Sequence, residues 1–216
     1  TRSGPVVRIS QISQMCSPVG HTHAHVEQRA RRSAGFVSTA STSQFYGALA
    51  QCQELYLYNN KIGDAGLTAL ASVCVSGALA QLKVLYLAGN EIGDKGLEAF
   101  SGALAGGALA RLETLNLARN KIGDPGIASL ADAFARGALP QLRYFGLDGN
   151  QIGDAGITAL AQVIRPVSEG DRGAMAQLNH LYLDGNKIGD PVVSAFASAC
   201  ASGAMASLKK VVVDSM

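Results

Sequence analysis

The residues able to do chemistry are few, and their spacing argues against catalysis. His21, His23 and His25 alternate in HTHAH, so an extended backbone would bring three imidazoles together as transition-metal ligands. No carboxylate or thiolate stands at ligand spacing beside them, and a solvated polar tail is the expected state. Cys16, Cys52, Cys74 and Cys200 are widely separated with no CxxC pair, the pattern of small buried hydrophobes in a reducing compartment rather than a disulfide framework. A Cys/His nucleophile built from Cys74 or Cys200 with His180 would have to join the core face of a helix to the opposite side of a strand. No phosphate-cradling GxxxxGK[ST] loop, HExxH, GxSxG or kinase signature occurs, and the glycine clusters are turns. Asp64, Asp94, Asp124, Asp154 and Asp190 form a regular column, for which helix N-capping accounts without a cation. The expectation is a non-enzymatic chain with no catalytic residue, metal or cofactor.

Composition narrows the partners. Of the 216 residues 48% are hydrophobic and 16% charged, with net charge +2. The charge is uneven: residues 1–46 hold five Arg and one acid, Glu27, while the remainder carries 13 basic and 15 acidic residues. No basic stripe runs through that remainder, which argues against a nucleic-acid surface. No apolar run reaches the roughly 18 residues that cross a bilayer; the expected chain is soluble and intracellular, in the cytoplasm. Residues 1–34 lack apolar period and are rich in Ser, Thr, Gln and Arg, a disordered tail by default, with an organelle transit peptide as the alternative. Residues 35–51 read as a degenerate capping repeat, since Gly47 to Gln51 repeats as Gly77 to Gln81.

The elements that would position any functional residue come from an internal repeat. LYLYNNKIGD at 55–64 recurs as LYLAGNEIGD at 85–94, LNLARNKIGD at 115–124, FGLDGNQIGD at 145–154 and LYLDGNKIGD at 181–190. Within one unit, Leu85 and Leu87 have the period of a strand with one buried face. Asn90 ends the strand and can satisfy backbone groups of its own and stacked copies, so Asn60, Asn90, Asn120, Asn150 and Asn186 form a candidate structural ladder. Gly93 would permit a left-handed backbone, and Asp94 would cap the helix that follows. Leu97, Phe100 and Leu104 share one helical face, and Gly77, Gly107 and Gly137 stand where helices stop. One unit cannot bury enough surface alone, so stacked units must share a core.

The spelling L-x-x-L-x-L-x-x-N-x-I-G-D-x-G followed by an apolar helix resembles the leucine-rich repeat of the ribonuclease-inhibitor subtype, found also in Ran GTPase-activating proteins and NOD-like receptors. Residues 52–216 carry the resemblance. It implies an α/β solenoid, a right-handed horseshoe arc with a parallel β-sheet on the concave face and α-helices on the convex face, comprising five full repeats and a sixth strand at Val211 to Val213. The sequence departs from the pattern at Cys52, Phe145 and Val192, and at six extra residues within Arg165 to Arg172. An uncovered last strand leaves a monomer or an end-to-end contact as the expected states.

Side chains on the outer side of each strand are not needed for the core. Tyr56, Tyr58, Tyr86, Asn116, Tyr144, Asp148, His180, Tyr182, Asp184 and Asp214 fall there, an aromatic patch running into an acidic file, with Gly146 leaving a notch between Asn116 and Tyr182. Tyrosine gives contact area at low entropic cost. The expected function is a protein-protein interaction module binding a protein or peptide on that face; the resemblance also allows GTPase activation of the Ran type, or a sensor fragment of a larger NOD-like protein.

Overall fold

The computed structural model describes residues 49–164, 175–190, 192–194 and 207–213. The tail with its three histidines, most of the 35–51 segment, the insertion after Arg165, Cys16, Cys200 and Asp214 lie outside them.

Six three-residue strands, β1 (Glu54–Tyr56), β2 (Val84–Tyr86), β3 (Thr114–Asn116), β4 (Tyr144–Gly146), β5 (His180–Tyr182) and β6 (Lys210–Val212), form one parallel sheet in chain order. Between them run α1 (Asp64–Val75), α2 (Asp94–Ala105), α3 (Asp124–Ala135) and α4 (Asp154–Val163). The chain is thus an open α/β solenoid in which each unit contributes one strand. The sixth strand begins one residue before its expected position, at Lys210.

Register follows from the repeat. Leu55, Leu85, Leu115, Phe145 and Leu181 are successive partners, all fully buried, because a one-residue slip would turn every leucine outward. Behind them lie the files of Leu57, Leu87, Leu117, Leu147 and Leu183 and of Ile62, Ile92, Ile122, Ile152 and Ile188, capped by Leu67, Leu97, Ile127 and Ile157 from the helices. Phe145 fits among leucines by meeting Phe134 of α3 edge-on, ring centroids 5.9 Å apart, an arrangement aromatic quadrupoles favour. At the last strand Val211 follows Leu181 in this file yet is 37% exposed.

Two sets of polar side chains join the units. Asn90 donates through Nδ2 to Leu57 and Leu87 carbonyls and accepts at Oδ1 from the Asn60 and Ile62 N–H groups. Asn120, Asn150 and Asn186 each bond in the same way to their own and the preceding unit. Asn60 is exposed, and among the described residues its side-chain amide donates to the Tyr58 carbonyl.

The aspartates correct the expectation of capping within a unit. Gly63, Gly93, Gly123 and Gly153 occupy the N-cap positions in extended conformation, with φ from −90° to −110° and no side-chain cap, so Gly93 is not left-handed. Each Asp instead reaches the next helix. Asp64 accepts from Gly93 N–H at 2.7 Å, Asp94 from Gly123 and Gly126, Asp124 from Gly153 and Gly156, and Asp154 from Gly189. A carboxylate at a helix start meets unpaired N–H groups and the positive end of the dipole. At the two ends of the array Asp64 and Asp154 each accept one such bond among the described residues, from Gly93 and Gly189, where Gly96 and Val192 stand at the position of the second donors Gly126 and Gly156. Left-handed φ falls at Gly89, Gly149 and Gly185, just before the ladder asparagines, and at Gly77, Gly107 and Gly137 after the helices.

The cysteine expectation is corrected in one place. Cys52 is disulfide-bonded. Cys74 is a free, buried thiol whose burial pushes its pKa up to about 12, which keeps it protonated and unreactive at neutral pH.

Candidate binding surface

Alternation along each strand presents a second, unburied face to the side opposite the leucines. Its residues stand in columns across the sheet: Glu54, Val84, Thr114, Tyr144, His180 and Lys210 in the first, Tyr56, Tyr86, Asn116, Gly146, Tyr182 and Val212 in the second. Two residues beyond come Tyr58, Ala88, Ala118, Asp148 and Asp184. Tyr56 and Tyr58 are 41% and 47% exposed; Tyr86, Asn116, Tyr144, Asp148, His180, Tyr182 and Asp184 are half-buried.

The aromatic residues fall into two clusters. Tyr56 and Tyr86 stack with centroids 5.2 Å apart, as neighbouring strands require when both carry a ring in one column. The Tyr56 hydroxyl donates to Glu54 Oε2 at 3.0 Å; burial, that hydrogen bond and the Glu54 charge push its pKa up to about 12. On the far side Tyr144 leans across its own strand to lie 5.2 Å from Tyr182 and 6.4 Å from His180. Lys210 Nζ sits 5.2 Å from the Tyr182 ring centroid, within cation–π range.

Gly146 makes the second cluster possible, and it does so by being covered. A Cβ there would lie 3.2 Å from the Asn116 amide and 3.3 Å from Tyr144 Cε1, and Gly146 is buried. The expected notch is therefore filled: a strand position without a side chain lets the neighbouring ring fold over it. Asn116 Oδ1 accepts from the Ala118 N–H at 2.9 Å, so its NH₂ group is the end left to donate.

Asp148 and Asp184 close the far end. Neither forms an ion pair among the described residues. Burial raises the Asp148 pKa first and the charge of Asp184 adds to it, while a backbone hydrogen bond and Arg119 pull it down. Tyr144 is pushed up to about 12 by burial, then by Tyr182, Tyr86, Asp148 and Asp184, so its hydroxyl remains a donor at neutral pH. A raised carboxyl pKa means the folded chain holds the proton more tightly than the unfolded one, and ionisation costs stability as pH climbs past the ordinary value of 3.8. Asp148→Asn should accordingly raise the thermal midpoint at pH 7, with the gain disappearing in melts run below pH 3.8; an equal gain at both pH values would contradict this charge environment.

Two neighbours of this surface were not among the expected residues. Arg119 adopts a left-handed φ of 53° and donates its N–H to the Asp148 carbonyl at 2.7 Å. Lys210 was visible only as a first-column position 30 residues after His180; nothing in its own neighbourhood along the chain marks it as standing over Tyr182. Among the described residues, no group of three or more His, Cys, Asp or Glu is placed to hold a metal ion, and no helix is long and apolar enough to cross a membrane.

Repeating strand, asparagine turn and helix in one register define a leucine-rich repeat protein. The family model for the leucine-rich repeat matches residues 53–71, 80–101, 111–131 and 140–161, so these stretches of the chain are leucine-rich repeats. Solved structures similar to it include a TDR receptor, at 16% identity over 72% of this chain and 22% of the receptor (TM-score 0.37). Internalin C2 from Listeria monocytogenes is similar at 18% identity over 78% of this chain and 84% of its own (TM-score 0.30). Internalin inlF from the same organism is similar at 18% identity over 79% and 58% (TM-score 0.32). No curated protein matches.

Proposed function

We propose that the chain is a non-enzymatic binding module that holds a protein or peptide on the outer, concave face of its sheet, through Tyr56, Tyr58, Tyr86, Asn116, Tyr144, Asp148, His180, Tyr182 and Asp184. The observation that carries this reading is the pairing of rings into two half-exposed clusters, Tyr56 with Tyr86 and Tyr144 with Tyr182, on a face whose side chains contribute nothing to the core. Leucine-rich repeats generally mediate protein-protein interaction, and the twelve-residue helices of the first three units favour the ribonuclease-inhibitor-like subtype. Packed rings enter a complex with little side-chain freedom left to lose.

The test is an affinity capture with the full chain and with a Tyr86→Ala/Tyr182→Ala variant. Each ring removed from the centre of an interface costs about 2 kcal/mol or more, so capture of specific partners should fall at least about a hundredfold in affinity while the thermal midpoint changes little. An unchanged set of partners at unchanged affinity would place binding elsewhere.

A further inference from the structure

The two clusters differ chemically. Tyr56 and Tyr86 form an aromatic plate in register with Val84 and Ala88, and its one carboxylate, Glu54, already accepts from the Tyr56 hydroxyl, whereas Tyr144 and Tyr182 adjoin two carboxylates, Asp148 and Asp184, neither ion-paired among the described residues. Tyr182 already engages the chain's own Lys210, whose ammonium lies 5.2 Å from the ring centroid, so a ligand cation has to enter on the Tyr144 side, where the two carboxylates outweigh that one charge. Arg119 offsets Asp148 in part, but its backbone is committed to the Asp148 carbonyl and it makes no ion pair with the carboxylate. A tyrosine face with two carboxylates at its rim attracts a cation from two directions at once.

The separation between the plates sets a second requirement. From the middle of the β1–β2 pair to the middle of the β4–β5 pair is three strand spacings of about 4.8 Å, or about 14 Å. An extended peptide advances about 3.3 Å per residue, so about four residues bridge the two plates.

We propose that this face takes an extended peptide lying across the strands, with a lysine or arginine side chain between Tyr144, Tyr182, Asp148 and Asp184. An apolar or aromatic side chain about four residues away then rests on Tyr56 and Tyr86. This rests on the binding-module reading and adds the chemistry and spacing of the ligand. The polar contact between the plates falls to the Asn116 NH₂, positioned to donate to a peptide carbonyl.

The experiment is panning of a displayed random nonapeptide library on the full chain, followed by affinity measurement of the enriched peptides. Enriched sequences should pair a basic residue with an apolar one at about four-residue separation. Changing that basic residue to Glu, or testing the Asp148→Asn/Asp184→Asn variant, should weaken binding by about tenfold or more, as should raising ionic strength. Both aspartates are on the surface and share one sign of charge, so their replacement leaves the fold intact, checked by an unchanged or raised thermal midpoint. Peptides whose binding needs Tyr86 and Tyr182 but shows no preference for a basic residue would overturn the cationic assignment while leaving the binding module standing. No enrichment, or binding indifferent to Tyr86→Ala/Tyr182→Ala, would overturn both.

Discussion

Asn120→Ala should lower the free energy of unfolding by about 3 to 4 kcal/mol, while Asn60→Ala should change it by less than about 0.5 kcal/mol. The two residues have the same place in the repeat and differ only in what stacks on them. Asn120 is 7% exposed, accepts from the Ile92 N–H at 3.2 Å and donates to the Leu87 and Leu117 carbonyls at 3.0 and 2.9 Å. Those carbonyls also accept from Asn90 and Asn150, so truncation leaves each with one donor. The Ile92 N–H loses its side-chain acceptor inside the stack, which costs about 1 to 3 kcal/mol; the two lost donations and the small void left by the amide supply the rest. Because units in a solenoid hold only their neighbours, the damage falls in the middle of the stack. Urea unfolding followed by circular dichroism measures it, and hydrogen exchange should show the amides on either side of residue 120 opening first. Equal effects of the two substitutions would mean that the asparagines act as local turn residues and not as a ladder.

A second expected result is a reversal of sign between two helix glycines. Gly102→Ala in α2 should stabilise by up to about 1 kcal/mol, the ordinary helix-propensity gain, because a Cβ there meets nothing within 4 Å. Gly126→Ala in α3 should destabilise by about 2 to 3 kcal/mol despite the same gain in propensity. Its Cβ would lie 2.6 Å from Asp94 Oδ1 and 3.2 Å from Asp94 Cα. Asp94 would have to retreat from both N–H groups it accepts from, Gly123 at 2.7 Å and Gly126 at 3.0 Å, and the helix start would lose its only side-chain cap. Denaturation midpoints of the two variants settle the matter. A stabilising Gly126→Ala would show that the aspartate can yield without cost and that the contact between units is loose.

Much of the fold is legible in the residues. A period of 30, leucines at strand spacing, an asparagine at each turn and apolar helical faces are enough to set strand order and register, because every unit repeats the same instruction and the leucines have one face to hide. Which side of the sheet faces out was legible for the same reason, and so were the residues standing on it. The glycines after the helices were readable as helix stops, since a left-handed backbone is a local property.

Where polar side chains go once the units are stacked is set by contacts between units and cannot be read from any one of them. Asp94 is the first residue of its own helix but serves the start of the next one, whose N–H groups are 29 and 32 residues away. Gly93 looks like a flexible turn residue, yet it stays extended and is small because a neighbouring carboxylate packs on it. Tyr144 covers Gly146, so a position that reads as empty is filled from the side, and Lys210 comes to rest on a ring it never adjoins in the chain. Sequence spacing fixes what each unit is, through steric preferences that act over a few bonds; contacts between units depend on the translation that stacks them, which no single unit encodes.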